Sequence, residues 1–101
     1  MAPWQKKCRY IEREYSNHVF KPKAIPMSQL AVINIGHDEL EAVKLVDVEH
    51  LRQVDAAEKM GISPATIQRI IETTREKIVK ALIEGHAIII DGGDYEIKEK
   101  K

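Results

Sequence analysis

The strongest constraint on this chain is its punctuation between residues 61 and 85. Gly61 is followed by Ser63 and Pro64, and then residues 65–84 pass without a glycine or proline until Gly85. Ser63 suits a helix N-cap, because its hydroxyl accepts from an N–H that the first turn leaves unpaired. Pro64 suits the first helical position, where the N–H it lacks has no intrahelical partner. The spacing therefore predicts one long helix over 64–84, stopped at Gly85. Ile67, Ile70, Ile71, Thr74, Ile78 and Leu82 recur at three- and four-residue spacing and mark its buried face. Ala65, Gln68, Arg69 and Glu72 fall on the opposite side, with Thr66 at the flank.

The same logic organises the remainder. "RQVDAAEKM" before Gly61 reads as a short helix whose C-terminus the glycine caps. "DELEAVKLVDVEHL" reads as a helix starting at Asp38, with Asp38 and Glu41 spaced as a capping box. Its apolar residues fall on two sides: Leu40, Val43 and Leu51 on one, Ala42, Leu45 and Val46 elsewhere. It is expected between two layers, or between the domain and a partner. "LAVINI" reads as a short β-branched strand ended by Gly36, and "KPKAIPMS" as a proline-marked connector. "AIIIDGGDYEI" reads as strand, Gly-Gly turn and strand, a β-hairpin. The expected fold is mainly α, a three-helix core with a short β-strand and hairpin element. It is one domain over 1–101, with a basic arm and connector at 1–28, the helical core at 38–84 and the hairpin at 86–97.

Charge bounds the partners. Sixteen Lys/Arg balance sixteen Asp/Glu, which removes the simplest argument for nucleic-acid binding, a strongly basic chain. The distribution is uneven, however. Residues 1–24 hold six Lys/Arg against two Glu, and residues 25–62 hold three against seven Asp/Glu. Screening limits charge to a reach of about 8–10 Å at physiological salt, so a basic segment can act locally. One cysteine, Cys8, excludes an internal disulfide framework and a zinc site built on paired cysteines. No apolar run approaches the roughly 20 residues that span a bilayer. The N-terminus lacks a signal-peptide stretch, and a cytoplasmic location is expected.

Two helices joined at Gly61, the second capped by Ser63 and Pro64, form a helix-turn-helix. Ala57 falls where the helices must approach closely, and Met60, Ile62, Ile67 and Ile70 seat one on the other. The second helix then projects as a ridge. Gln68 has the geometry for an adenine edge and Arg69 for a guanine edge, while Ala65 and the Thr66 methyl suit a thymine methyl. Ser63 is placed for a phosphate at the helix N-terminus. Arg75 and Lys80 are expected on the flanking backbone. Lys6, Lys7, Arg9 and Arg13 form an arm that follows phosphates or enters the minor groove; the alternative is that the segment packs Tyr10 and Ile11 onto the domain with its charges in solvent.

The stretches "KKCRYI", "FKPKAIPMSQL", "DELEAVKLVDVEHL", "AAEKMGISPATIQRIIETTREKIVKALIEGHAIII" and "DGG", in that order, resemble a family of small prokaryotic proteins. That family is described as predicted DNA-binding proteins of unknown function. Its helix-turn-helix is similar to region four of bacterial sigma factors, which reads the promoter −35 element. The resemblance implies a sequence-specific regulator rather than a sigma factor, since the other sigma regions have no room here. His50 stands at a helix end where that pattern has glycine.

Other chemistries have less to stand on. His18, His37, His50 and His86 have no metal-site spacing, and no metal or cofactor is expected. Asp38, Glu39 and Glu41 favour the helix macrodipole without a catalytic role. No nucleophile–base constellation or phosphate loop is present, so no enzyme is expected. "DGGD" lacks the further oxygen ligands of a calcium loop. Cys8 between Lys7 and Arg9 raises the alternative of a redox sensor. Another alternative is a protein-interaction module that binds RNA polymerase or a second regulator through the acidic middle. The favoured partner is double-stranded DNA, read by a homodimer, because one short helix contacts few bases. The dimer interface is left between the C-terminal half of the long helix with "AIIID" and the two-sided helix at 38–51.

Overall fold

The computed structural model describes residues 9–15 and 18–98. Lys6, Lys7 and Cys8 lie outside them. The elements run β1 (Arg9–Ile11), β2 (Val19–Phe20), a 3-10 turn (Met27–Gln29), β3 (Val32–Ile35) and α1 (His37–Val43). One π-helical turn (Lys44–Val48) continues α1, followed by α2 (Gln53–Met60), α3 (Pro64–Glu84), β4 (Ala87–Ile90) and β5 (Tyr95–Ile97). The fold is α-rich, three helices with short strands.

α3 has the bounds its punctuation predicts. Ser63 Oγ accepts from the Thr66 N–H at 3.1 Å, and Gly85 ends the helix. Ile67, Ile70, Ile71 and Thr74 are buried. Thr74 satisfies its hydroxyl by donating to the Ile70 carbonyl at 2.7 Å. Leu82 departs from the expected stripe: it is 74% exposed, and Ala81 is buried instead. Successive residues lie about 100° apart on a helix, and the buried line drifts onto Ala81 where α3 meets the sheet. A small residue there lets the helix lie close to Ile35, Ile88 and Ile90.

α1 begins one residue earlier than expected, at His37, with Gly36 as its cap. Glu39, not Glu41, reaches back, its Oε1 accepting from the Gly36 N–H at 2.9 Å. Asp38 lies inside the first turn rather than at the cap: its Oδ1 accepts from the Glu39 N–H at 2.9 Å while its Oδ2 meets Arg9. The helix leaves through a wider turn. The Glu49 N–H donates to the Lys44 carbonyl, five residues back, at 3.0 Å. His50 then adopts φ 62°, the left-handed conformation that glycine adopts without strain.

Between α2 and α3, Gly61 takes φ 71° and the Ile62 N–H closes on the Ala57 carbonyl at 3.0 Å. Ala57 is buried in the cluster that joins the three helices to β1: Ile11, Leu45, Met60, Ile67 and Ile71 among others. A second cluster lies between α3 and the sheet.

The expected hairpin at 86–97 does not form. β4 lies in the middle of a three-stranded sheet, antiparallel to β2 and parallel to β3, while β5 pairs parallel with β1 in a separate two-stranded sheet. Ala87, Ile88 and Ile90 are all buried, and a strand buried on both faces sits best with neighbours on both edges. Residues 91–94 therefore cross over the start of α1 instead of turning back. Gly92 accepts from the His37 N–H at 2.9 Å. Gly93 has φ 108°, and a Cβ there would sit 2.5 Å from Asp38 Oδ1.

Gly92, at φ 75° with open space around it, is the control. Gly92→Ala is expected to cost about 1–2 kcal/mol, the ordinary left-handed penalty. Gly93→Ala is expected to cost at least about 1 kcal/mol more, because it also displaces a buried carboxylate. Urea unfolding of the two variants checks this; equal losses would show that the crossing is not closed on Asp38.

Candidate nucleic-acid interface

The N-terminal half of α3 stands out from the domain because α1 and α2 hold its opposite face. Ala65, Gln68, Arg69 and Glu72 are exposed on one ridge, as the spacing predicts. Gln68 Nε2 donates weakly to Glu72 at 3.4 Å. Among the described residues Arg69 makes no hydrogen bond or ion pair, so its guanidinium is free to meet an acceptor. Thr66 is half-buried, and its hydroxyl lies 2.8 Å from that of Ser63. The cap thus engages both hydroxyls with each other.

Of the other cations named from sequence, Arg9 lines the groove beside this ridge, but its guanidinium is already engaged. Arg9 is bonded to the buried carboxylate of Asp38, and it belongs to a strand whose Ile11 is core, so it is no free arm residue. Arg13 is exposed and lies over the Tyr15 ring at 4.9 Å. Arg75 grips Asp47 through two hydrogen bonds, 2.6 and 3.1 Å long. Lys80 is exposed and without a partner among the described residues. It sits eleven residues beyond Arg69, about 16 Å along the helix.

Beside the ridge runs an open groove of about 890 Å³. Thr66, Arg69, Thr73 and Lys77 line one wall; Asn34, Glu39 and the Gly92 and Gly93 loop line the other. Lys77 Nζ spans it, donating to Glu39 at 2.9 Å and to the Asn34 carbonyl at 3.1 Å. Nothing in the sequence pattern marked Lys77, because its partners lie 38 and 43 positions away.

Sequence reading also missed a polar network inside the fold. Glu41, only 1% exposed, accepts from the Tyr15 hydroxyl at 2.6 Å and from the Glu12 N–H at 3.2 Å. Lys44 lies 3.4 Å from Glu41 and donates to Glu12 at 2.8 Å; Lys59 reaches Glu12 at 2.6 Å. The Tyr15 N–H donates to His37 Nδ1 at 2.9 Å, so that nitrogen carries no proton. Hydrogen bonds from Lys44 and Lys59 hold the Glu12 carboxyl down at about 2. Burial, with the bond to Glu41, pushes the Tyr15 hydroxyl up to about 12. Burial alone would lower the Lys44 ammonium; its bond to Glu12 and the charge of Glu41 outweigh that and raise it. The i,i+3 spacing of Glu41 and Lys44 was the one readable signal. Among the described residues no group of three or more His, Cys, Asp or Glu is arranged around a common point for a metal, and no helix is long and apolar enough to cross a membrane.

Residues 2–98 match the family described as Protein of unknown function DUF134. A UPF0251 protein of Thermoanaerobacter sp. (strain X514) is 39% identical over 99 residues, covering 98% of this chain and 88% of the relative. One from Halothermothrix orenii is 42% identical over 96 residues, 94% of this chain and 68% of the relative. A Methanosarcina acetivorans relative is 43% identical over 90 residues, 88% of this chain and 80% of its own length. These names state no activity. No solved structure matches the chain significantly.

The network predicts an acid limb in stability. A carboxyl whose folded value lies below its unfolded one stabilises the fold above the unfolded value, and this is lost as pH falls through the folded value. For Glu12 the window runs from about 4.5 down to about 2. Thermal unfolding across it should show melting temperature falling with pH, and Glu12→Gln should flatten that fall. An unchanged slope in the variant would assign the acid limb to other groups.

Proposed function

This chain belongs to the DUF134 family, whose description leaves activity open, and we propose that it binds double-stranded DNA in a sequence-specific manner and regulates transcription. In this reading α2, the Gly61 turn and α3 are a DNA-reading helix-turn-helix. The N-terminal half of α3 enters the major groove, where Arg69 reads a guanine edge, Gln68 an adenine edge, and Ala65 with the Thr66 methyl a thymine methyl. The α3 N-terminus, with Ser63, meets a phosphate.

One observation carries the reading. Arg69 is an exposed guanidinium without a partner among the described residues, on a ridge of small and polar residues at the start of a helix that two neighbours brace. Arg75, by contrast, is engaged with Asp47 and Arg9 with Asp38. A formal net charge of zero leaves little for non-specific attraction, so base contacts must supply most of the discrimination. The Arg75 and Arg9 side chains reach phosphate only by exchanging their present carboxylates for it.

Selection from random duplex DNA at about 0.15 M salt, where distant charges are screened, tests this. An enriched motif is expected. Arg69→Ala should weaken it by about 1–3 kcal/mol and relax preference at one base pair. No enrichment from folded wild-type protein would remove the DNA reading and favour a protein-interaction module. Enrichment unchanged in Arg69→Ala would reassign the reading residue.

A further inference from the structure

α3 changes character halfway along. Its N-terminal ridge is polar, but beyond Glu76 the outward residues are Val79, Leu82 and Ile83, respectively 51%, 74% and 77% exposed. Phe20 of β2, 60% exposed, shares a surface hollow with Leu82 and continues the patch across the end of the sheet. We propose that this face receives a second copy of this chain, with the two α3 helices packed antiparallel about a two-fold axis near residues 78 and 79.

Three observations point to a second copy. The two-sided helix and the sheet offer less: Ala42 and Leu45 are fully buried, with Val48 exposed beside them, and β4 is paired on both edges. The four exposed side chains together offer roughly 400 Å², at about 100 Å² for each large apolar side chain. That is half of the ~800 Å² that each partner contributes to a standard interface, and such an interface has an apolar centre and a polar rim.

The rim is also self-complementary. Glu76 and Lys80 flank the patch four residues apart, and among the described residues neither has an ion-pair or hydrogen-bond partner. In a two-fold antiparallel pair the same flanks of both helices meet, which carries Glu76 of each copy to Lys80 of the other. A parallel two-fold pair would turn that flank away from its own copy and leave both charges without this partner.

A third argument rests on the function proposed above. Ten residues separate Arg69 from Val79, so the antiparallel pair spaces its two Arg69 positions by roughly 30 Å along the helices. One turn of B-form DNA is about 34 Å. The patch and the rim argue for the dimer without that step.

Sedimentation velocity of the whole protein, without DNA and over a range of micromolar concentrations, tests the inference. The wild type is expected to sediment as a dimer. Ile83→Lys, and independently Leu82→Lys, should sediment as monomers with unchanged circular dichroism and melting, since both side chains face solvent in the isolated chain. Glu76→Lys should weaken self-association at least tenfold, and Glu76→Lys with Lys80→Glu should restore it. A monomeric wild type, or a dimer that survives both lysine substitutions, overturns the proposal. A dimer indifferent to Glu76→Lys and to the double exchange overturns the antiparallel arrangement. A dimer that selects no DNA motif would fail the proposed function alone, and a monomer that selects one would fail this inference alone.

Discussion

Much of the structure depends on how Glu41 is satisfied. A carboxylate taken almost wholly out of water costs several kcal/mol unless donors replace the lost hydration. Here they come from three places in the chain: the Tyr15 hydroxyl, the Glu12 N–H and the Lys44 ammonium. Two of these lie just after β1 and one on the π turn, so satisfying one side chain joins the N-terminal segment to the helical core. Lys44 also bonds Glu12, and Lys59 of α2 closes the set. Breaking such a set by removing one member leaves charge buried without a partner, which is the costly direction.

That junction governs what faces outward. β1 is held against α1 and α2, and Tyr10 lies where a side chain at Gly61 would be. The turn is thereby braced from behind, and α3 leaves it at a fixed angle. Because one face of α3 is committed to Ile67, Ile70, Ile71 and Thr74 in this core and Ala81 in the next, no element among the described residues packs over the opposite face. The helix offers that face in two parts, polar near Arg69 and apolar near Ile83.

Ion pairing inside the domain narrows the choice of reading residues. Arg75 and Lys77 of α3 and Arg9 of β1 each meet a carboxylate, so this surface presents fewer free cations than its composition implies. Exposed pairs such as Arg75 with Asp47 contribute little to stability, but they restrain where a guanidinium can reach. A recognition surface with one free arginine among the described residues of α3 is small, and a second copy would double it in the symmetric manner of paired half-sites.

The sequence by itself determined α2 and α3, whereas the helix expected over 38–51 ends at Val43 with a π turn to Val48. Caps, proline placement and three-four periodicity are local signals, and they located α3 to the residue and α2 to within one. They also placed Ala65, Gln68, Arg69 and Glu72 on the outward ridge, because azimuth on a helix follows from residue number alone. Only the tertiary structure decided strand partners and side-chain partners, since these join residues far apart in the chain. "AIIIDGGDYEI" has the composition of a hairpin, yet β4 pairs with β2 and β3 and β5 with β1. Asp38 has the spacing of a cap, yet Arg9, 29 positions away, turns it inward. Leu82 fits the periodic stripe, yet the approach of α3 to the sheet selects Ala81. In each case a local preference of about 1 kcal/mol was outweighed by burial and ion pairing that exist only once distant segments meet.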